Sequence, residues 1–569
     1  MVRVKVRSQP ETYATCNLKS MQNAALAQVF AEIADYLELE GENSFKVRAY
    51  RVAAEAILDH PAPIESAAEA GTLDQIEGLG FATASKSREF LATGRVRVLE
   101  VLKLKFPAGL LEVLRVPGLG PKKVALLYKE KGVDSLPKFA ELLENGELSG
   151  VSGFGAKTIE NLKTNLRRLS ELSSRMPITQ ASVLAQKILE ELREKLPETE
   201  IEIAGSLRRG CDTIGNLNFV AKSENAAPVL AAFEELGIVM EITTREENRI
   251  LGRAAPGIEA EISVAPPQSF GNLLWMRTGN QKHLESCEVS GEFAAEKSLY
   301  AAMNLAFIPP ELRENRGEIE AAQNRRLPDL LTQKQIRGDL HTHTNWSDGV
   351  ASIRQMALLA RARGYEYYAI TDHSKALAMA NGLNAQRLRQ QAQEIAEVQA
   401  EFPDLRLLRG IECDIMRDGT MDLDDEILGE LDIVIGSVHS GFNLPLAEQT
   451  ERIIRALENP HVDCIGHPTG RILGVRAPYD VDVSALIEAA AHFGKALEIN
   501  ASERLDLRDE HAFAAREAGV LLCIDTDAHS PKMLENLGFG VTVARRAWCE
   551  AKDILNAKPL EELLKWVVR

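Results

Sequence analysis

Nine side chains able to bind a metal ion recur along the C-terminal part of the chain: His341, His343, Asp348, His373, Glu412, His439, His467, Asp527 and His529. They fall at the carboxyl ends of short apolar, β-branched runs, and six of the eleven histidines are among them. A single histidine on an apolar strand is ordinarily a satisfied core residue. Nine ligand types at successive strand ends are not a packing pattern. Imidazole with carboxylate, and no thiolate, suits zinc, manganese or iron and argues against a closed structural zinc site. Nine ligands exceed the needs of one ion. Several ions held close together would clamp a phosphate and lower the pKa of a bound water. The chemistry implied is hydrolysis of a phosphoester.

Two further patterns carry chemistry. Residues 205–219 read GSLRRGCDTIGNLNF, a Gly-Ser turn, an arginine pair and then Asn216 and Asn218. In a strand, residues two apart share a face, so this looks like a phosphate and metal site in which carboxylates have become amides. The second pattern is a thrice-repeated Gly-x-Gly: GLGFA (78–82), GLGPK (118–122) and GFGAK (153–157), each opening a helical stretch. Glycine lets backbone amides approach a ligand, and a helix N-terminus favours anions. One copy is only a turn. Three copies, with Lys122 and Lys157 after the second glycine, predict contact between Gly78, Gly80, Gly118, Gly120, Gly153, Gly155 and the phosphates of DNA.

These patterns need several domains to position them. The 569 residues suggest three to five units. No apolar run is long enough for a membrane span, and MVRVKVRSQPETYATC lacks a signal-peptide core. Seven scattered cysteines fit reduced thiols in a cytosol. Net charge is −17, against indiscriminate coating of nucleic acid, but it is uneven. Residues 86–131 are rich in lysine and arginine and residues 401–430 in acids, which suggests separate jobs. The first 170 residues have helical periodicity. Residues 175–335 alternate, with IEIAGS, NLNFVAK and AEISVA as strands. From 337 a strand and then a helix repeat seven times (IRGDLHTHT, YYAITDHS, LRLLRGIEC, LDIVIGSVHS, VDCIGHPTG, KALEIN, VLLCIDTDAHS), which predicts a parallel, nearly closed barrel with its site at the carboxyl ends.

The motifs GDLHTHTNWSDG, ITDHS, GIECDI, SVHS, GHPTGR, EINASERLDL and IDTDAHS resemble the polymerase and histidinol phosphatase (PHP) domain. The resemblance implies a distorted (β/α)7 barrel over 337–569 and up to three transition-metal ions (Mn2+, Zn2+ or Fe2+). It implies one ion on His341, His343, Glu412 and Asp527, and a second on Glu412, His439 and His467. The third would lie on Asp348, His373 and His529. Arg471 and Arg504 would hold substrate phosphate or serve as surface ion-pair residues.

The N-terminal half resembles the family X DNA polymerases of the beta type, and the joined arrangement resembles the bacterial PolX proteins. The marks are SFKVRAYRVAAEAI, the Gly-x-Gly hairpins, GSLRRG, a Thr-Gly turn at 278–279 and IPPELRENRGEIEAA. The resemblance implies a helical 5′-phosphate domain at 1–95, helix-hairpin-helix fingers at 96–174, a palm at 175–265 and a thumb and linker at 266–336. Asn216, Asn218 and Glu261 then stand at the three metal aspartates of the palm, where Mg2+ or Mn2+ would bind weakly. Ser206, Arg209, Gly215 and Gly279 would meet a dNTP. Met276 and Arg277 replace Tyr-Phe before Thr-Gly, and Leu284 replaces an asparagine that meets the incoming base. Lys46 and Tyr50 match residues around the 5′-phosphate. Lys86 aligns with the Schiff-base lysine of the deoxyribose-phosphate lyase reaction, with Arg88 as a cation able to lower its pKa, or else belongs to a solvated basic face.

The expected function is a monomeric, bacterial, cytoplasmic DNA repair nuclease. It would act 3′–5′, and also at abasic sites, on gapped, nicked or 3′-ended DNA, with a palm that polymerises poorly. Two alternatives stay open: an active gap-filling polymerase with a proofreading nuclease, and a small-molecule PHP phosphatase.

Overall fold

The computed structural model describes residues 12–58, 64–76, 78–114, 116, 118–173, 175–255, 257–377 and 380–567. Residues 1–11 of the expected first domain, Arg115 of the basic run and the Cys16 side chain lie outside the described residues. The chain divides into two compact units, residues 1–171 and 172–569.

The first unit is helical: α1 (Thr12–Glu40), α2 (Ser44–Leu58), α3 (Phe81–Thr93), α4 (Pro121–Lys131) and α5 (Ala156–Ser173), with shorter helices between. Phe30, Ile33, Leu37, Ile57, Leu127 and Phe139 fill its core. Each Gly-x-Gly turn enters a helix, and its first glycine takes a left-handed conformation (Gly78 φ 91°, Gly118 φ 90°, Gly153 φ 83°) that a side chain would strain. A Cβ on Gly80, Gly120 or Gly155 would meet nothing within 4 Å, so the backbone there is open to a ligand.

The second unit begins with a five-stranded sheet: β1 (Ile201–Ala204), β2 (Asn216–Lys222), β3 (Val239–Arg245), β4 (Arg249–Ala254) and β5 (Ile258–Ala265). Their order is β1-β2-β5-β4-β3, with β2 and β5 parallel and the other pairs antiparallel. The barrel follows with seven parallel strands in sequential order: β6 (Gly338–Asp339), β7 (Tyr367–Ile370), β8 (Arg406–Asp414), β9 (Ile433–Ser437), β10 (Cys464–Ile465), β11 (Ala496–Asn500) and β12 (Leu522–Asp525). Several strands are shorter than their apolar runs. The backbone leaves the ladder just before the polar residues, so most of the nine ligand types sit in the turns beyond the strand ends. Glu412 is the exception, near the end of the longest barrel strand, β8.

The barrel's two edges are β6 and β12. At the site end a single bridge joins Thr342 to Ala528. Below it, the buried Asn556 amide donates to Gly338 O (2.9 Å) and Ile524 O (2.7 Å), and its oxygen accepts from Ile524 N (3.0 Å). One side chain thus supplies the hydrogen bonds that a missing eighth strand would make. Replacing Asn556 with Ala leaves buried carbonyls unpaired, and we expect a cost of roughly 2–4 kcal/mol. A lower thermal midpoint for N556A, with the first unit's helicity unchanged, is the outcome expected.

Candidate functional site

Glu412 is fully buried, and the turns after four barrel strands, β6, β7, β9 and β10, bring five imidazoles to its carboxylate. His467 Nε2 and His439 Nε2 approach Oε1 at 2.9 and 3.1 Å. His373 Nδ1, His341 Nε2 and His343 Nε2 approach Oε2 at 2.7, 3.4 and 3.5 Å. Asp527 completes one side, with Oδ1 3.1 Å from His343 and 3.6 Å from His341. Asp348 completes the other, at 3.5 Å from His373 and 3.4 Å from His529. All nine ligand types therefore meet at one pole of the barrel.

Their atoms form three overlapping groups: His343, Asp348, His373 and His529; His341, His343 and Asp527; His373, Glu412 and His439. Compared with the expected partition, His343 also reaches the Asp348 group, and His373 also stands in the Glu412–His439 group. His467 enters through Glu412.

The electrostatics are those of an ion site. Burial alone would raise Glu412, but His439, His373 and His341 outweigh it and hold the carboxyl well below its usual range. Burial likewise opposes protonation of His373, yet Glu412 and Asp348 push it up to about 10. His343 goes the other way, to about 3, because burial and then His529 and His373 disfavour its cation. Burial and then Arg504 bring His467 down to about 4. His343 Nδ1 and Nε2 and His467 Nδ1, on imidazoles held neutral, are buried without a hydrogen-bond partner. A lone pair so placed is costly unless something electrophilic meets it. Two of the nine, His467 (φ 30°) and Asp527 (φ 50°), also hold left-handed backbone, the kind of strain that gathers at functional sites. The donor set fits several divalent ions.

A supporting layer escaped the sequence reading. Glu498 accepts from or pairs with His341 Nδ1 at 2.7 Å and accepts from His467 N at 2.5 Å. Asp414 lies 3.3 Å from His439 Nδ1. Such partners orient metal-bound imidazoles. Their signal was spacing: Glu412 and Asp414 share one strand face, as do Glu498 and Asn500.

The two arginines part company. Arg504 reaches the site, its Nε 3.5 Å from Asp527 and its Nη1 buried and unpaired. Arg471 does not serve as a surface residue or a free phosphate ligand. It is buried, pairs with Asp212 at 2.8 Å, and donates from Nε to Leu505 O at 3.1 Å.

In the five-stranded sheet, Asn218 stands beside Glu261 in register. Asn218 Nδ2 donates to Asn216 Oδ1 at 3.1 Å. The Gly205–Ser206 turn sits on this pair, since a Cβ on Gly205 would lie 2.3 Å from Asn218 Nδ2. Glu261 is buried and already neutralised: Arg249 pairs with it at 2.7 Å, Arg277 at 3.1 Å, and Ser263 Oγ donates at 3.0 Å. Guanidinium groups hold the carboxylate that metal ions would need. Arg209 is tied to Glu314 (2.8 Å) and Thr278 O (2.8 Å), and Arg208 makes a two-bonded pair with Glu296. Gly215 lies against Arg175, and Gly279 ends the helix α6 (Phe270–Thr278), packed against His283 and Leu284.

In the first unit the structure brings Lys86 to Tyr50, Nζ 5.6 Å from the ring centre, with Nζ donating to Ala82 O at 3.2 Å. Lys46 pairs with Glu42, and Arg88 faces Asp74 at 3.6 Å. Lys122 and Lys157 are exposed beside their hairpins.

Comparison with known proteins agrees with this layout. The PHP domain family matches residues 339–502, a helix-hairpin-helix domain matches 21–96, and a SAM-like helix-hairpin-helix tandem matches 110–168. The DNA polymerase/3′-5′ exonuclease PolX of Bacillus subtilis (strain 168) is 39% identical over 96% of this chain and 100% of its own length. A probable phosphatase of Thermoanaerobacter sp. (strain X514) is 34% identical over 40% of this chain and 94% of its own. One from Shewanella sp. (strain ANA-3) is 30% identical over 39% of this chain and 88% of its own. Among the described residues no helix is long and apolar enough to cross a membrane.

Metal uptake should displace protons. In the ion-free site Glu498 and then Glu412 raise His341 against its burial, and Glu412 raises His373 to about 10, so His373 carries a proton at neutral pH. Protons and metal ions then compete, and affinity should rise with pH up to about 10, the value for His373. Mn2+ titration calorimetry in buffers of different ionisation enthalpy should show net proton release at pH 7, and less at pH 9. Stability has the opposite sign. The raised His373 stabilises the ion-free fold below the unfolded value of about 6.5, and that contribution is lost as pH climbs towards about 10.

Proposed function

Because the chain belongs to the PolX family of DNA polymerases/3′-5′ exonucleases, we infer that it is a DNA repair enzyme whose PHP barrel is a metal-dependent 3′–5′ exonuclease. The observation that carries this reading is the convergence of nine ligand types, with orphaned buried lone pairs, on one barrel pole of a chain that spans the full length of a PolX relative. We propose that Mn2+, Zn2+ or Fe2+ is held by His341, His343, Asp348, His373, Glu412, His439, His467, Asp527 and His529. Such ions polarise a phosphoryl oxygen and supply a nucleophile at neutral pH.

The chain's own groups do the rest. Glu498 and Asp414 keep the imidazoles turned inward and basic. Arg504, its Nη1 unpaired beside Asp527, is the cation placed to hold a non-bridging oxygen of the scissile phosphate. The helix-hairpin-helix unit holds DNA through open backbone at Gly80, Gly120 and Gly155 with Lys122 and Lys157, and the salt dependence of phosphate contacts applies to it. Lys86, beside Tyr50, faces a 5′-phosphate there. Ala substitution of both His341 and His343 should lower shortening of a 5′-labelled gapped duplex in Mn2+ by about a thousandfold or more and leave DNA binding largely intact. Undiminished shortening would sink the assignment.

Template-directed synthesis we propose to be very weak, although a dNTP has a place to rest at the Gly205–Ser206 turn. Two metal ions need anionic oxygen where charge develops, an amide supplies a dipole only, and Glu261 is bound to two guanidinium groups. Losing metal stabilisation worth several kcal/mol means roughly a thousandfold or more in rate. In a background disabled at His341 and His343, restoring Asn216→Asp, Asn218→Asp and Glu261→Asp should give little extension of a gapped primer. Adding Arg277→Phe should raise it a further tenfold or so, since about 1.4 kcal/mol of released carboxylate suffices. Robust Mg2+-dependent extension by the unrestored palm would refute this account.

A further inference from the structure

The turns after the strands that carry His439 and His467 hold a charged feature that the nine ligands do not use. The Arg476 guanidinium lies 4.3 Å from the centre of the Phe442 ring, and Phe442 stacks on Tyr479 at 6.2 Å and 18°. Hydrogen bonds tie this stack to the metal pole. Arg476 Nε donates to Gly470 O (2.7 Å), Tyr479 OH donates to Pro468 O (2.7 Å), and Gly470 N donates to His467 O (2.9 Å). Arg452 Nη1 donates to Ser440 O at 2.8 Å and fixes the chain between His439 and Phe442.

Arg476 uses only Nε in this way. Among the described residues its two Nη groups have no hydrogen-bond partner, and neither is sealed from solvent. Burial, and next the charge of Arg504, push its guanidinium below the usual arginine value. The stack is fastened to the turn that begins at His467. The acidic neighbour Asp506 has Oδ2 engaged by Thr469 N at 2.9 Å. A planar guanidinium held flat on a ring is pre-organised for the paired oxygens of a phosphate.

We propose that Arg476, held flat on Phe442 and tethered to the turn after His467, is a second phosphate subsite of the barrel, binding the phosphodiester next to the one being cleaved. A DNA strand offers that second phosphate and a small phosphomonoester does not, so the residue selects polymer over monomer. The proposal rests on the nuclease reading for its biological substrate, but its test does not.

The test uses the full-length, Mn2+-loaded protein hydrolysing thymidine 5′-p-nitrophenyl phosphate. Competing inhibitors are thymidine 5′-monophosphate and a phosphorothioate-linked dinucleotide with a 5′-phosphate. The wild type should bind the dinucleotide about tenfold more tightly, the size expected of one charge-assisted contact. Arg476→Ala should bring that ratio to about one. Arg476→Lys, which keeps charge without the planar fork, and Phe442→Leu, which removes the stack, should give intermediate ratios and guard against misfolding of the first variant. A wild-type ratio of one, a ratio unchanged in Arg476→Ala, or equal weakening of both inhibitors would overturn the subsite. A dinucleotide preference that depends on Arg476 in a protein unable to shorten DNA would leave the subsite standing and remove the nuclease reading instead.

Discussion

One buried carboxylate organises the barrel pole. Glu412 has no access to solvent, and an ionised group so placed must be met by opposite charge or strong donors. Five imidazoles meet it, delivered by the turns after four strands, with His341 and His343 sharing the turn after β6. The demand propagates outward. An imidazole that faces Glu412 with one nitrogen must be steered by the other, which is why Glu498 and Asp414 are buried behind His341 and His439. It also shortens the strands, because β6 and β10 stop early so that their turns can aim side chains inward. The positive φ values at His467 and Asp527 belong to the same geometry.

The five-stranded sheet solves the same problem in the opposite way. Glu261 is as buried as a metal ligand would be, but its counter-charges are covalently part of the chain. Arg249 arrives from the neighbouring strand β4 and Arg277 from α6. Asn218 donates to Asn216 across the strand face, a contact between two uncharged amides. A resident guanidinium cannot be exchanged, cannot move as charge develops and cannot activate a hydroxyl.

Much of this was legible beforehand, for physical reasons. Ligand residue types at strand ends stand out against apolar runs, so the nine side chains that meet at the barrel pole could be read without neighbours. The three hairpins were legible because only glycine enters the left-handed region cheaply. What the sequence hid depends on partners distant along the chain. Arg471 read as a phosphate ligand or a surface ion-pair residue because Asp212 lies in another part of the chain, and Arg209 read as a triphosphate contact because Glu314 does. The strands β3 and β4 were missed since β3 is exposed almost throughout, and a strand wetted on both faces shows no alternation. Glu498 was passed over because a second-layer acid differs from a ligand only in depth.

The link between the five-stranded sheet and the barrel is built of charge. Arg209 pairs with Glu314, Glu314 with Arg546, Arg546 with Asp509 and Asp509 with Arg316, while Asp212 holds Arg471 against the turn of Arg504 and Asp506. A Cβ on Gly210 would collide with Thr542 of the barrel helix Leu537–Arg546, so the two surfaces leave no slack. In terms of heredity this makes the two halves unequal in freedom. Asn216 and Asn218 bond chiefly to each other, so drift there costs the barrel nothing. Drift at Arg209, Asp212 or Glu314 strands a buried charge on the nuclease side. The five-stranded sheet is kept on those terms whatever happens at its amide pair, selected as the wall against which the barrel leans.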